Sequence, residues 1–490
     1  MTRVVIVGGG LAGLAAAETL SRTFKGDDRE RPEIVVLEAK RTAGGRAGSY
    51  YDGASGQEVD YCQHAAMGCC TNFLDLMRRL ELDGCFRRWS RLHFLHPDTP
   101  NSEFAPSTWL PPPLHLLPCL AGLRFLSRSQ QREIRRGLWK LMRTPADSLR
   151  DVLAVDWLHQ ARQSAETVSA FWDVILISAL GEKTEHVSMA AARKVLIDGF
   201  AAARGASDVL VPRLPLSELL GRRSVEQLTK RGVKVMTGVT VRGIETQCVN
   251  TGDGSYSADA VISAVPWYRL GSLFENWPPQ DRGLLSDVKR LSQIPTSSIS
   301  GLHLWFDRAI TDLEHAVMVG TTAQWLFRDP CDDPASREED AGNSVVDRET
   351  HYYQVVISAS AEVISRGKEA VLNKVLGELR AAFPPAATAS LRRWRLVTDP
   401  KSVFSVNPQV ESLRPPQTTD FEWLFLAGDW TQTGWPATME GAVISGRMAA
   451  KGVLEFLRGS GFLPANAALK EPLVDRGLRK GFLARCLIRQ

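Results

Sequence analysis

The chain opens on apolar residues whose spacing changes within a dozen positions. Residues 4–7 form a continuous β-branched run, which is typical of a short strand buried on both faces. Residues 11–20 are rich in alanine and leucine, which favours a helix, and a second apolar run, mostly β-branched, follows at residues 34–37. The pattern therefore predicts a strand–helix–strand unit at the start of a parallel sheet.

The turn between the first strand and the helix has the spacing Gly-x-Gly-x-x-Gly. Its three glycines would serve for a tight turn, for close approach of a pyrophosphate to the backbone, and for packing of the helix on the strand. Free N–H groups at the helix N-terminus would bind the phosphates. Glycines also cluster in ordinary turns, but here an acid ends the second strand, at the position that binds ribose hydroxyls. The predicted contacts of a dinucleotide with this unit are Gly8, Gly10, Leu11, Ala12, Gly13 and Glu38.

A second glycine pair follows shortly after this acid. Gly44 and Gly45 would let the backbone approach a cofactor closely, and Arg46 would pair with the pyrophosphate. A plain NAD dehydrogenase does not require this element. Further on, β-branched residues at 233–245 resume the sheet, and Val241 among them is the candidate for backbone contact with the adenine.

The other end of the chain carries another strand-to-helix pattern. An apolar run at residues 424–427 predicts a strand, and Gly428 and Asp429 follow it at the edge of the sheet where doubly wound folds bind ligands. Asp429 would bind a ribityl hydroxyl of FAD. A helix beginning near Thr438 and Met439 would direct its positive end at the pyrimidine ring of the flavin. The alternative is that Gly428 and Asp429 only form a turn.

Composition narrows the class of protein. The 490 residues are 44% hydrophobic and 23% charged, as in globular proteins with a large core. The net charge of +4 is too small and dispersed to predict nucleic-acid binding. The eight cysteines show no metal-ligand spacing, so we expect no metal site, no disulfide framework and a reducing, cytoplasmic setting. We find neither a cleavable signal nor an apolar run of about 18 residues.

These motifs resemble those of a known group of flavoproteins. The N-terminal GGGLAG with GGR, and the C-terminal AGDWTQTGWPATMEGAVISG, are similar to the amine oxidase and phytoene desaturase superfamily. Within it, DYCQHAAMGCCTNFLDLMRRLEL, GTTAQWLF and VFSVNPQVESLRPPQ resemble the hydroxysqualene dehydroxylases, also described as squalene-associated FAD-dependent desaturases. The Asp-Asn-Gly-Gln-His that is usual in this family reads Asp-Tyr-Cys-Gln-His at residues 60–64.

The resemblance implies an α/β fold, in which a Rossmann-type FAD-binding domain is interleaved with an α+β substrate-binding domain. Two insertions would form the substrate-binding domain. By periodicity the first, residues 71–205, is mainly helical, and the second, residues 271–414, mixes strands with a helix. The chain would divide into an FAD-binding domain of residues 1–70, 206–270 and 415–460, a substrate-binding domain of residues 71–205 and 271–414, and a tail of residues 461–490.

The implied reaction replaces the allylic hydroxyl of hydroxysqualene, a long isoprenoid alcohol, with hydride from reduced FAD to give squalene. The protein would align the reacting carbon, help the hydroxyl to leave and exclude water from the developing allylic cation. His64 is the candidate acid, although a histidine here would equally serve to hydrogen-bond the cofactor or the backbone. Gln63 and Glu440 are weaker candidates. Aromatic faces suit such a cation, and the matched motifs contain Trp325, Trp430 and Trp435.

Three other functions stay open at this point. A carotenoid desaturase would use the same scaffold with electrons flowing in the opposite direction. An amine oxidase would act on a small polar substrate, and a flavin or isoprenoid carrier would bind without turnover. No second Gly-x-Gly-x-x-Gly turn precedes a helix, so an external electron donor would be required.

One segment bears on how a lipid substrate is reached. Residues 109–126 are apolar and proline-rich, and residues 130–143 plot as an amphipathic helix with one apolar and one basic face. This helix would either lie on anionic lipids or pack its apolar face on the protein. The basic C-terminal tail is only weakly amphipathic and is not predicted to be an anchor. We expect a cytoplasmic protein in peripheral contact with the inner face of the membrane.

Overall fold

A computed structural model describes residues 2–23, 31–53, 56–275, 277, 290–328, 350–463 and 472–489. In chain order, the strands are β1 (Arg3–Val7), β2 (Glu33–Glu38), β3 (Ser49–Asp52), β4 (Gln57–Asp60), β5 (Ala66–Met67), β6 (Phe86–Trp89), β7 (Leu92–His96), β8 (Thr99–Phe104), β9 (Val209–Pro212), β10 (Lys234–Thr237), β11 (Val241–Glu245), β12 (Cys248–Thr251), β13 (Ser255–Ser257), β14 (Ala260–Ser263), β15 (Thr296–Phe306), β16 (His315–Met318), β17 (Trp325–Arg328), β18 (His351–Ser358), β19 (Leu391–Phe404) and β20 (Leu424–Leu426).

The α-helices are α1 (Leu11–Thr23), α2 (Thr71–Arg79), α3 (Leu117–Gly122), α4 (Arg128–Arg143), α5 (Ala154–Gln160), α6 (Ala165–Thr167), α7 (Asp173–Leu180), α8 (Met189–Arg193), α9 (Ser224–Lys230), α10 (Trp267–Leu270), α11 (Ala361–Ile364), α12 (Lys368–Ala382), α13 (Val410–Leu413), α14 (Met439–Gly459) and α15 (Phe482–Leu487). The segments Val168–Trp172, Lys194–Ala201 and Ser217–Arg223 are π-helical. Short 3₁₀ turns occupy Asp83–Cys85, Leu114–Leu116, Ala146–Leu149, Gly271–Phe274 and Pro384–Ala387.

Strand β1 is the centre of a five-stranded parallel sheet in the order β10-β2-β1-β14-β20. The runs predicted at residues 4–7 and 34–37 form β1 and β2, and the run at 424–427 forms β20, which ends one residue earlier than expected. Strands β1, β2, β14 and β20 are covered on both faces, which is why they read as continuous apolar runs, whereas the edge strand β10 is mostly exposed. The α/β fold class is thereby confirmed.

Helix α14, from the C-terminal part of the chain, packs along helix α1, from the N-terminal part. Glycine is required at this contact because a Cβ at Gly446 would overlap the carbonyl oxygen of Ala12. Gly13 allows a second close approach, since a Cβ there would overlap the carbonyl oxygen of Gly8. The two ends of the sequence therefore meet through backbone contact.

The second large sheet has seven strands in the order β19-β15-β18-β17-β16-β7-β8, antiparallel except for the pair β16–β7. Residues 71–205 were predicted to be mainly helical, and their regular elements are helices except for strands β6, β7 and β8. The sequence of β8, Thr-Pro-Asn-Ser-Glu-Phe, lacks a strand's alternation of apolar and polar residues. It is a strand because it pairs with β7, not because of its own pattern.

Helix α4 corresponds to the predicted amphipathic helix and begins at a capping box formed by Ser127 and Gln130. Ile134 and Leu141 on its apolar face are fully buried. This face is covered by the protein, which favours the interpretation of a helix packed on the protein over that of an interfacial anchor. Among the described residues, no helix is long and apolar enough to cross a membrane.

The contact between α1 and α14 predicts a strong effect of a single methyl group. We expect Gly446→Ala to destabilise the protein by about 3 kcal/mol or more, because the neighbour is rigid backbone and not a side chain that can rotate away. The matched control is Gly377→Ala in helix α12, where a Cβ meets nothing within 4 Å and the change should stabilise by about 0.5–1 kcal/mol. Urea denaturation measures both, and equal stabilities would contradict the close contact.

Candidate active site

One cavity of about 1700 Å³ connects the parallel sheet to the second large sheet. Its volume exceeds the roughly 300–1,000 Å³ of an ordinary ligand site. One part of the cavity is lined by glycine-rich turns and charged residues. The other part is lined by apolar side chains. The cavity therefore has room for a cofactor and a second ligand.

The Gly8–Gly10 turn forms the first wall of the cavity. Gly8 has a φ of +110°, which only glycine adopts readily, and a Cβ there would lie 2.8 Å from the carbonyl oxygen of Ala264. The backbone N–H of Gly44 donates to the carbonyl of Gly9 over 2.8 Å, so the two predicted glycine segments lie side by side. Helix α1 begins directly at this wall with Leu11 and Ala12, which also line the cavity. These features form a backbone cradle for phosphate at a helix N-terminus.

Glu38 ends strand β2 at the same wall and is buried. Its carboxylate accepts hydrogen bonds from the backbone N–H groups of Gly9 (2.7 Å) and Lys40 (2.8 Å). These bonds fix the carboxylate beside the glycine turn while it still borders the cavity. Val241, at the start of β11, lines the same region. The residues predicted to contact the adenosine half of a dinucleotide are thus together.

Arg46 and Asp429 form an ion pair across the cavity wall. The Arg46 guanidinium also donates to the carbonyl of Ser402 over 2.8 Å. Arg46 is predicted to bind a pyrophosphate and Asp429 a ribityl hydroxyl, but the contact between the two residues is not apparent from the sequence. The pair joins the segment after β2 to the loop after β20, so it fixes two separate stretches of the cavity lining.

Helix α14 begins at the cavity. Thr438 caps it, since its Oγ1 accepts from the backbone N–H of Gly441 over 3.1 Å, and both Thr438 and Met439 line the cavity. Gly428 also lines it, and its N–H donates to Ser445 Oγ. The positive end of a 21-residue helix therefore faces the site.

Two of the predicted residues lie behind the lining. Gly13 serves the helix–strand contact described above and does not border the cavity. The Glu440 carboxylate is buried and accepts from the backbone N–H groups of Asn72 and Phe73. It therefore caps the N-terminus of α2, a structural role that leaves it no path to a substrate.

His64 lines the cavity next to Gln63 and Cys62. Its Nδ1 lies 2.8 Å from the carbonyl oxygen of Cys62, so Nδ1 carries a proton and donates it there. Burial, reinforced by the positive charge of Arg46, lowers the pKa of His64 from its ordinary 6.5. A neutral imidazole with Nε2 as an acceptor is the form that follows at neutral pH. Burial also raises the pKa of the Cys62 thiol to about 12, which keeps it protonated.

The apolar part of the cavity combines the three tryptophans of the sequence motifs with phenylalanines that those motifs did not mark. Strand β17 contributes Trp325, whose indole N–H donates to Ser178 Oγ over 3.0 Å. The other two candidate tryptophans also line the cavity, and the ammonium of Lys194 lies 4.7 Å from the centre of the Trp435 ring. Further aromatic lining comes from Phe94, Phe104, Phe125, Phe171, Phe200 and Phe327. These positions are scattered along the chain, and only the helical period of α4 hinted at one edge of the chamber.

The residues present fit FAD. The glycine cradle at the N-terminus of α1 matches the phosphates, and the fixed carboxylate of Glu38 beside it matches the adenosine ribose. The N-terminus of α14, across the same cavity, matches the flavin ring. This fold and site define an FAD-dependent oxidoreductase.

Comparison with known proteins identifies the family. The family of flavin-containing amine oxidoreductases matches residues 11–454, and the chain belongs to it. The chain is 25% identical over 488 residues to the zeta-carotene desaturase of Synechocystis, covering 92% of this chain and 97% of that protein. It is 24% identical over 475 residues to the hydroxysqualene dehydroxylase of Rhodopseudomonas palustris, covering 92% and 98%.

Solved structures share the fold. An oxidoreductase from Methanosarcina mazei has a TM-score of 0.67 at 15% identity, covering 93% of this chain and all of that chain. Cyclohexylamine oxidase from Brevibacterium oxydans has a TM-score of 0.64 at 17% identity, covering 93% and 99%.

The ion pair between Arg46 and Asp429 predicts a specific loss of cofactor. In Asp429→Asn the guanidinium loses its charged partner, and both stretches of lining become free to move. We expect the FAD dissociation constant to rise at least about tenfold, measured by flavin fluorescence on titration of the apoprotein. The matched control is Asp52→Asn, which breaks a buried carboxylate's pairs with Arg393 and Arg395 outside the cavity. Equal losses of FAD from both variants would contradict this role.

Proposed function

We propose that this enzyme reduces hydroxysqualene to squalene, with an isoprenoid lipid held in the apolar part of the cavity. The observation that carries the proposal is the continuity of the aromatic chamber with the cofactor-binding part. A long, flexible hydrocarbon fits a chamber of that composition, and a small amine would leave most of it unfilled. Two relatives named hydroxysqualene dehydroxylase, from Rhodopseudomonas palustris and Zymomonas mobilis, support the same substrate class.

The chain's own residues supply position and environment for this reaction. Reduced FAD would deliver the hydride that replaces the hydroxyl. Gly8, Glu38 and Asp429 would hold the cofactor, and Val241 would border its adenine. The aromatic faces of Trp325 and Trp435 would stabilise positive charge on an allylic carbon. The apolar walls would keep water from capturing that cation.

His64 is the proposed proton donor to the departing hydroxyl, through Nε2, which has no hydrogen-bond partner among the described residues. Its lowered pKa means that only a small fraction of the enzyme carries the required proton at neutral pH. The acid role therefore predicts a pH dependence that a purely structural histidine would not produce.

We expect kcat/KM, which reports the free enzyme, to rise as the pH falls from 8 to 6, by up to about tenfold per unit, because the pKa of His64 is lowered and its protonated form becomes more populated as the pH falls. His64→Gln should remove this slope while FAD stays bound. The matched control is Gln63→Asn, which leaves the charge beside His64 unchanged and is expected to retain the slope. A wild-type profile that is flat over this range would remove His64 from the acid role and leave it as a hydrogen-bond acceptor.

A carotenoid desaturase is the second candidate, since the zeta-carotene desaturase of Synechocystis is as similar to this chain as the dehydroxylases are. It would use the same cavity with hydride passing from a polyene to oxidised FAD. For the dehydroxylase, electrons would come from an external donor. Both functions imply a cytoplasmic protein in peripheral contact with the membrane that holds its lipid.

The direction of electron flow separates the two functions. We would reduce the purified holoenzyme anaerobically with light and a chemical mediator, add hydroxysqualene, and follow the flavin absorbance together with the lipid product. Squalene formed in proportion to reduced flavin consumed is the expected result. Reduced enzyme that leaves hydroxysqualene unchanged, with oxidised enzyme that bleaches on phytoene or zeta-carotene, would replace the dehydroxylase with the desaturase.

A further inference from the structure

The cavity reaches the surface in two chemically different regions. Where the dinucleotide would bind, the exposed lining residues include the charged side chains of Lys40, Arg242 and Glu275. At the apolar part, the exposed lining residues include Leu117 and Trp139, which are 45% and 50% exposed. A residue that both lines a cavity and meets solvent lies at its opening. The second opening is therefore bordered by large apolar side chains.

The opening is framed by three segments that contact one another. The loop before α3 is held by Arg204, whose guanidinium donates to the carbonyls of Ser107 and Leu110. The C-terminal tail touches this loop, since Gly481 approaches the ring of Pro112. The tail also joins α4, because the N–H of Arg489 donates to the carbonyl of Met142 over 2.9 Å. We call the surface of residues 107–117, α4 and residues 478–489 the opening face.

The opening face exposes apolar side chains that ordinarily avoid water. Trp109 is 92% exposed and Phe482 is 78% exposed, and neither lines the cavity. The lining residues Leu117 and Trp139 lie on the same three segments. A group of this kind, next to an apolar opening, marks an interaction site.

The charge of the surrounding sequence identifies the partner. Residues 105–143 carry seven Arg or Lys against one acid, and residues 475–490 carry five against one, in a chain whose net charge is only +4. On α4, the edge with Leu138 and Met142 lines the cavity, while Arg132 and Arg136 face solvent. Cations around protruding aromatic residues match an anionic lipid surface, at which aromatic rings and basic residues both bind favourably.

We propose that the opening face docks on an anionic lipid bilayer, so that the cavity opens directly into the hydrocarbon that contains the substrate. This inference rests on the proposed lipid substrate. It differs from a simple amphipathic anchor, because the apolar stripe of α4 faces the protein and the contacts with lipid come from the loop, Trp139 and the tail. The substrate would thereby pass from bilayer to cavity without crossing water.

The test measures sedimentation of the holoenzyme with vesicles, without substrate. Wild type is expected to bind phosphatidylcholine–phosphatidylglycerol vesicles at least about tenfold more tightly than phosphatidylcholine vesicles. The double variant Trp109→Ser/Phe482→Ser should lose roughly tenfold or more of that binding, and Arg132→Gln/Arg136→Gln should lose the preference for the anionic lipid. The matched control is Tyr51→Ser, a 68% exposed aromatic residue on β3, a strand that contributes nothing to the cavity lining; it should bind as wild type does.

Turnover distinguishes failure of docking from failure of the proposed function. Trp109→Ser/Phe482→Ser should keep wild-type rates on detergent-dispersed hydroxysqualene and lose rate on hydroxysqualene in anionic vesicles. Wild type that turns over the dispersed substrate but ignores vesicles would overturn docking alone. Vesicle binding without turnover of either lipid would overturn the dehydroxylase and keep the docking face. Equal binding by the double variant and wild type, or self-association through this face, would also overturn the proposal.

Discussion

Helices α1 and α14 lie so close together that a glycine of α14 contacts the backbone of α1. This contact determines where the active site is. Gly446 allows α14 to approach the first turn of α1, near Ala12. The N-termini of both helices border the same cavity as a result. Two positive helix ends, far apart in the sequence, would thereby be directed at one elongated cofactor. The glycine turn after β1 and the cap at Thr438 would otherwise be unrelated surface features.

The local patterns were sufficient for the parts of the site that follow parallel strands. Strands β1, β2 and β20 are buried on both faces, so each appears as a short apolar run with its functional residues directly after it. The position of Glu38 and the start of α14 follow from this order. The contact of Arg46 with Asp429 does not, since it depends on how two loops are folded over the sheet.

The substrate-facing chamber could not be predicted in the same way. Strands β7 and β8 exist because of their partners, and the sequence of β8 has too few apolar residues to indicate a strand. Residues of the π-helical segments Val168–Trp172 and Lys194–Ala201 line the cavity. The local widening of the helix in these segments cannot be predicted from the spacing of apolar residues. Even the clear amphipathic pattern of α4 left two interpretations, because a period specifies which face is apolar and not what covers it.

Exclusion of water from the chamber affects the proposed acid as well as the substrate. Apolar walls protect a developing cation from water, but the same burial, with Arg46 nearby, lowers the pKa of His64 and reduces the protonated form that would release a hydroxyl. Nε2 of the neutral imidazole carries no proton, so His64 must first take one from solvent before it can act as the acid. The imidazolium would then give that proton to the hydroxyl oxygen as the C–O bond breaks, so that water leaves and the imidazole returns to its neutral form. Burial therefore has two effects on His64. It reduces the protonated fraction in the free enzyme, and, because it lowers the pKa, it makes the imidazolium a stronger acid toward the departing hydroxyl.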